Sequence, residues 1–92
     1  MIMRTTRVNS TRANTYLMQL CKHFEQRVQV QFDGDRGQIT FPFCQCKLTA
    51  SDAVLDVVLT AEYDAEMCLG QRVMSNHIDR FAFRERPHVS WQ

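Results

Sequence analysis

Between Arg27 and Thr60 the chain carries successive runs in which apolar and polar residues alternate, joined by connections of only a few residues. Arg27 to Phe32 places Val28, Val30 and Phe32 on one face and Gln29 and Gln31 on the other; Gln38 to about Phe43 repeats the pattern with Ile39, Phe41 and Phe43. Cys44 to Ala50 aligns Cys44, Cys46 and Leu48, and Val54 to Thr60 aligns Leu55, Val57 and Leu59. A period of two is the repeat of a β-strand with one wet face. Parallel neighbours need a crossover of roughly a dozen residues or more, and no such length separates these runs. They therefore imply an antiparallel meander. The Val54–Thr60 run, apolar on its second face at Val54 and Val58, belongs near the middle of the sheet.

The punctuation agrees with this reading. Asp33-Gly34-Asp35-Arg36-Gly37 offers two glycines for the positive φ angles of a hairpin connection. Pro42 cannot donate to a ladder and marks a bulge or bend, and Ser51-Asp52 makes the next turn.

Helical periodicity brackets the meander. Ahead of it, Arg4–Asn9 reads as a short strand near a sheet edge, and Ser10 or Thr11 can cap a helix. In that helix Ala13, Tyr16, Leu17, Leu20, Cys21 and Phe24 share one face. Behind the meander, Asp64 is a candidate cap for a second helix running to about Phe81, with Met67, Gly70, Met74, His77, Ile78 and Phe81 as its stripe. Gly70 inside a helix costs about 1 kcal/mol against alanine, so it marks a place where the backbone approaches its partner closely. Arg86-Pro87 disfavours further helix and leaves His88–Trp91 as a candidate final strand, with Val89 and Trp91 inward. Two amphipathic helices cover one apolar sheet face most economically from the same side. The expected fold is α+β: one domain over residues 1–92, an antiparallel sheet of five or six strands with two helices on one face, in the order β-α-β-β-β-β-α with or without a last β.

Composition narrows the function. A chain of 92 residues that is 45% hydrophobic fits one core. Lys plus Arg (11) nearly balances Asp plus Glu (10), which leaves no excess to drive sequence-independent binding of nucleic acid. From Asp52 to Glu66 there are acids and no Lys or Arg, whereas Arg72 to Arg86 carries four arginines against Asp79 and Glu85. Acids early and arginines late complement the helix dipole; beyond that, Arg80, Arg84 and Arg86 outline an anion-facing surface. No apolar run of about 20 residues exists to span a membrane, and MIMRTTRVNS lacks the apolar segment of a secretory signal. A cytosolic address is expected. Cys21, Cys44, Cys46 and Cys68 have neither CxxC spacing nor secreted context, so reduced thiols are expected.

Three stretches carry a family resemblance: Tyr16-Leu17-x-x-Leu20-Cys21-Lys22-His23-Phe24; Gly34-Asp35-x-Gly37 with Ile39-x-Phe41-Pro42-Phe43; and His77-x-x-Arg80-Phe81-Ala82-Phe83-Arg84-Glu85 followed by Trp91. Over nearly its whole length the chain resembles a bacterial family of unknown function, DUF2218. The resemblance implies a small cytosolic protein of uncharacterised activity, a module found beside or joined to siderophore-interacting flavin reductases. Through that association it points to iron uptake, with a ferric chelate or a siderophore-reductase as partner. Cys44 departs from the pattern, where glycine is usual after Phe-Pro-Phe, so no role for that thiol carries over.

The residues that could do chemistry are few. His77 is a titratable group inside an apolar stripe. It is either a buried histidine satisfied by one partner or the floor of a pocket with Arg80 near the rim and His23 across from it. Which holds depends on the relative direction of the helices. His23 falls at the margin of the first helix's buried face, where it can complement the helix C-terminus. Cys21 and His23 lie about 200° apart around the helix and cannot share a metal ion. Cys44 and Cys46 are about 7 Å apart along a strand, unfavourable for a disulfide between them, and serve best as small core residues. Cys68 falls off the stripe, exposed and oxidisable. Asp33 and Asp35 lack the remaining ligands of a calcium loop and read as a solvated hairpin tip. There is no phosphate loop, nucleophile elbow or His-Glu-x-x-His motif, and no cofactor or metal is expected.

Three readings follow. The first is a non-enzymatic accessory or ligand-binding module using His77, His23 and Arg80. The second is a protein-interaction domain docking on a reductase through Arg84 and Arg86, and a homodimer is also among the expected assemblies. The third, ranked last, is a small enzyme using His77 and His23 as acid and base.

Overall fold

A computed structural model describes residues Met1–Gln92. The elements run β1 (Ile2–Asn9), α1 (Ala13–Phe24), β2 (Gln29–Asp33), β3 (Arg36–Thr40), β4 (Gln45–Ala50), β5 (Val54–Ala61) and α2 (Asp64–Phe81). All five strands pair antiparallel in the order β1-β5-β4-β3-β2. The meander is therefore β2 to β5, and β1 joins it at the edge of β5. β5 is interior, flanked by β1 and β4, while β4 takes the middle position.

The period-two pattern decides what the sheet covers. Val8, Ile39, Cys46, Leu48, Leu55, Val57 and Leu59 point into one core with Leu17, Leu20, Met74 and Ile78 of the two helices. Both helices thus lie on one face. On the other, partners in register across the sheet form a charged and polar row, Asp33, Arg36, Thr49, Asp56 and Arg7, in which Arg7 Nε donates to Asp56 Oδ1 at 2.9 Å. Thr6 alone among buried side chains leaves its hydroxyl unpartnered on the inner face.

Several boundaries differ from the sequence reading. β3 ends at Thr40 and not near Phe43, because Pro42 sits in a turn closed by Phe41 N–H donating to Cys44 O at 2.9 Å. The β2–β3 connection is two residues, with Gly34 at φ +60°, the value its first position needs. Gly37 has a different purpose from the one expected: it lies within β3, where a Cβ would stand 2.7 Å from Cys21 Sγ. Gly70 does mark close approach, since a Cβ there would stand 2.7 Å from Cys44 Sγ.

The helix caps also differ. The N-caps are Arg12 and Tyr63, neither with a side-chain cap bond. Ser10 contributes from two residues before, accepting Arg12 N–H at 2.9 Å. Asp64 falls inside the first turn of α2 and complements its dipole there, as Arg80 does in the last turn.

His88–Trp91 does not form a sixth strand. Arg86, at φ +50°, turns the chain back, and the tail is held at isolated points: Trp91 Nε1–H donates to Ser75 Oγ at 2.8 Å and Gln92 N–H to Thr5 O at 2.8 Å. Val89 and Trp91 are half-buried against the core, so the inward pair is right although the strand is not.

Candidate functional site: the histidine seam between the helices

α1 and α2 run antiparallel. His23, near the end of α1, lies beside His77 and Phe81, whereas Tyr16, near its start, reaches Glu85 beyond the end of α2. This direction, which periodicity cannot supply, brings the two histidines together with ring centroids 4.9 Å apart.

His77 lies at the edge of its stripe. Met67, Gly70, Met74 and Ile78 are buried, while His77 and Phe81 are half-buried at the seam with α1. The expectation of a fully buried histidine is corrected, and the reason is angular: residue 77 follows Val73 by one turn on the side facing α1. A partner is present all the same. His77 Nδ1 lies 2.7 Å from Val73 O, and a carbonyl can only accept, so Nδ1 carries the proton and Nε2 is the nitrogen left to bind. His23 is exposed, with Phe24 and Phe81 edge-on to its ring at 5.0 and 5.6 Å. Partial burial, and then the neighbouring His77, Arg80 and Arg27, hold its pKa below the usual imidazole value. The lowering favours the neutral imidazole, and an anion that offsets those cations would favour its charging.

Behind the seam an aromatic chain leads into the core: Phe24 is 4.6 Å from His77 and 4.9 Å from Phe41, which stacks on Phe43 at 5.0 Å. The Phe-Pro-Phe turn thus supports the histidines from below. The alternative reading of His77, the floor of a pocket, is not met in three clefts of the molecule. These lie elsewhere: on the open face around Arg36 and Lys47 (about 450 Å³), beside Phe43 and Glu66 (about 370 Å³), and between the tail and β1 around Arg7 and His88 (about 800 Å³). None of these three is lined by His77, His23 or Arg80, and with His23 and Arg80 exposed the seam is a surface patch.

Arg80 is exposed at that patch, and Arg84 and Arg86 are exposed beyond it. Arg84 lies over the ring of Phe83 at 5.6 Å, and that ring is itself 61% exposed. Periodicity missed Glu85. Its carboxylate accepts from Tyr16 Oη and, at 2.8 Å, from Ser10 Oγ, tying the end of α2 to the start of α1. Those two bonds hold the Glu85 pKa below the ordinary carboxylate value, and burial and Glu85 together push the Tyr16 phenol up. The available signal was Tyr16 itself, because a tyrosine on a buried face needs a partner for its hydroxyl.

The thiols do not join the site. Cys21, Cys44 and Cys46 are buried and unpaired, and Cys68 is exposed. Burial pushes Cys21 and Cys44 up to about 11 and Cys46 well above the usual thiol value, so all three are inert thiols at neutral pH. Asp35 is a hairpin-tip residue, as read, and accepts from Asn14 Nδ2 at 2.9 Å.

Residues 5–92 match the family described as an uncharacterized protein conserved in bacteria, DUF2218. The chain belongs to that family. This DUF2218 member is similar to a solved relative, the NMR structure of PA4090 from Pseudomonas aeruginosa, with 28% identity over all of this chain and 96% of that one and a TM-score of 0.85. No curated protein matches it. No helix is long and apolar enough to cross a membrane.

Proposed function

We propose that this DUF2218 member is a non-enzymatic accessory module that holds an anionic small ligand at the His23–His77 seam, in siderophore or iron utilisation. The observation that carries the reading is the 4.9 Å approach of the two imidazoles beside Arg80 and Arg27, whose charges add to burial and His77 in lowering the His23 pKa. His77 offers Nε2, and His23 is a neutral base that an anion would charge. Arg80 and Arg27 meet an oxygen-rich anion with donors and positive charge, His23 adds a donor on taking a proton, and His77 Nε2, a lone pair, accepts a ligand hydroxyl or takes an open position on a chelated iron. Ferric chelates combine these properties and, given the family resemblance, are the first class to test. Titration with ferric citrate, followed by visible absorbance and thermal shift, should give a saturable change in the wild type that is weakened at least tenfold in His77→Ala and in Arg80→Glu. No saturable change with any chelate, or an unaltered one in both variants, would remove the site.

A second reading rests on Phe83. An exposed aromatic ring with Arg84 stacked on it and Arg86 nearby is the composition of a protein-docking patch. On this reading, association with a reductase partner is salt-sensitive and is lost in Arg84→Glu/Arg86→Glu. A pull-down that recovers no reductase would count against it.

A further inference from the structure

The geometry points to a homodimer formed by antiparallel pairing of β2 with β2 of a second copy, with Gln31 on the two-fold axis. β2 is the free edge of the sheet. The hydrogen-bond phase shows which of its groups are free. Ala50 N–H donates to Asp35 O and Phe41 N–H to Cys44 O, so the odd residues of β3 bond to β4. Its even residues therefore bond to β2, through their partners Gln29, Gln31 and Asp33. The N–H and C=O groups of Val30 and Phe32 are left pointing outward.

The two edges of the sheet are treated differently. On β1 the tail meets the edge at one point, Gln92 N–H bonding Thr5 O at 2.8 Å. On β2 no backbone bond is made outside the ladder with β3, and lysine, proline, bulge and inward-pointing charge are all absent, the strand's one charge being Asp33 at its end on the open face. The inward side chains at that edge are instead half-exposed Val30 and Phe32.

The occupant follows from self-complementarity. With Gln31 opposite Gln31 of the second copy, all five residues of β2 pair. Val30 then exchanges both backbone bonds with Phe32 of the other copy, and the reciprocal pair does the same. These two apolar side chains meet on the helix-covered face, the Gln31 amides can bond one another on the open face, and each Gln29 amide faces an Asp33 carboxylate. Sliding the register by two residues toward the turn keeps the backbone phase but pairs fewer residues; sliding by four sets Asp33 against Asp33. The product is one continuous sheet of ten strands, five from each copy, with every helix on the same face.

Three measurements test this on the full chain. Sedimentation equilibrium should show the mass rising with concentration from 10.8 kDa toward twice that value. Val30→Pro removes only an outward N–H, leaves the β2–β3 bonds intact, and should hold the protein monomeric with its circular dichroism unchanged. In a Cys68→Ser background, Gln31→Cys should form a covalent dimer under mild oxidation, because directly opposed residues lie within disulfide reach. Gln29→Cys should not, since its own copy would be displaced along the strand. A monomer at every concentration, equal crosslinking of the two cysteines, or a dimer that survives Val30→Pro would each overturn the proposal.

Discussion

Replacing Gly70 by alanine should change the sign of its effect according to what occupies position 44. In the interior of α2 the substitution gains about 1 kcal/mol of helix propensity. Against this, the new Cβ would stand 2.7 Å from Cys44 Sγ, a contact too short to persist, although its distances to Cys44 Cβ and Leu59 Cδ1 are ordinary at 3.6 Å. Forcing a methyl into a packed core costs typically about 1–3 kcal/mol, and Cys44 is 6% exposed with a short side chain that has little room to turn. Gly70→Ala should therefore leave stability unchanged or lower it by up to about 2 kcal/mol. In a Cys44→Ala background the sulfur is gone, only the propensity remains, and the same substitution should stabilise by about 1 kcal/mol. Urea unfolding of the four proteins of the cycle measures the coupling directly. For a chain of this size each kcal/mol also moves Tm by roughly 4–8 °C. Equal effects of Gly70→Ala in both backgrounds would show that Cys44 does not set the helix–sheet approach.

Other expectations follow from single contacts. Thr6→Val keeps the β-branched shape opposite Val57 and removes the unpartnered buried hydroxyl, so it should be neutral or should stabilise by about 1 kcal/mol in urea titration. Thiol titration of the native protein should find one fast-reacting cysteine, Cys68, and in denaturant all four; fast reaction of more than one in the native state would contradict the burial of the others. Glu85 has its folded pKa lowered by Tyr16 and Ser10, so its contribution is present above about 4.5 and is lost as pH falls through the lower, folded value. The stability difference between the wild type and Glu85→Gln should accordingly shrink toward zero on acidification, and a constant difference would refute the linkage.

The strands were legible because period-two alternation and short gaps leave one solution. The helices were legible because their stripes are unbroken. Gly70 could be read as a close approach because a glycine in a good helical stripe has few other reasons to be there. Gly37 was misread for an equally physical reason. Its position beside a turn suits a positive φ, and only the placement of α1 over β3 shows that Cys21 needs the space. The final strand failed because Val89 and Trp91 do face inward, yet a tail held by two isolated hydrogen bonds makes no ladder. For the candidate site, residue identities were readable and their meeting was not. His77 stood out in its stripe and His23 at its margin, but their contact depends on the antiparallel direction of the helices, a tertiary property. The same holds for Glu85, whose partners Ser10 and Tyr16 are remote in sequence.

The His23–His77 seam as ligand site is the central claim, and the third histidine provides an internal control. A high-spin ferric chelate broadens nearby proton resonances, so the imidazole Hε1 signals of His23, His77 and His88 can be followed as ferric citrate is added, with the diamagnetic gallium chelate as reference. His88 lies on the tail beside β1, in the cleft with Arg7 and Asp56 and away from the seam. Saturable broadening of His23 and His77 is expected while His88 stays sharp. Equal broadening of all three, or broadening of His88 alone, would contradict it.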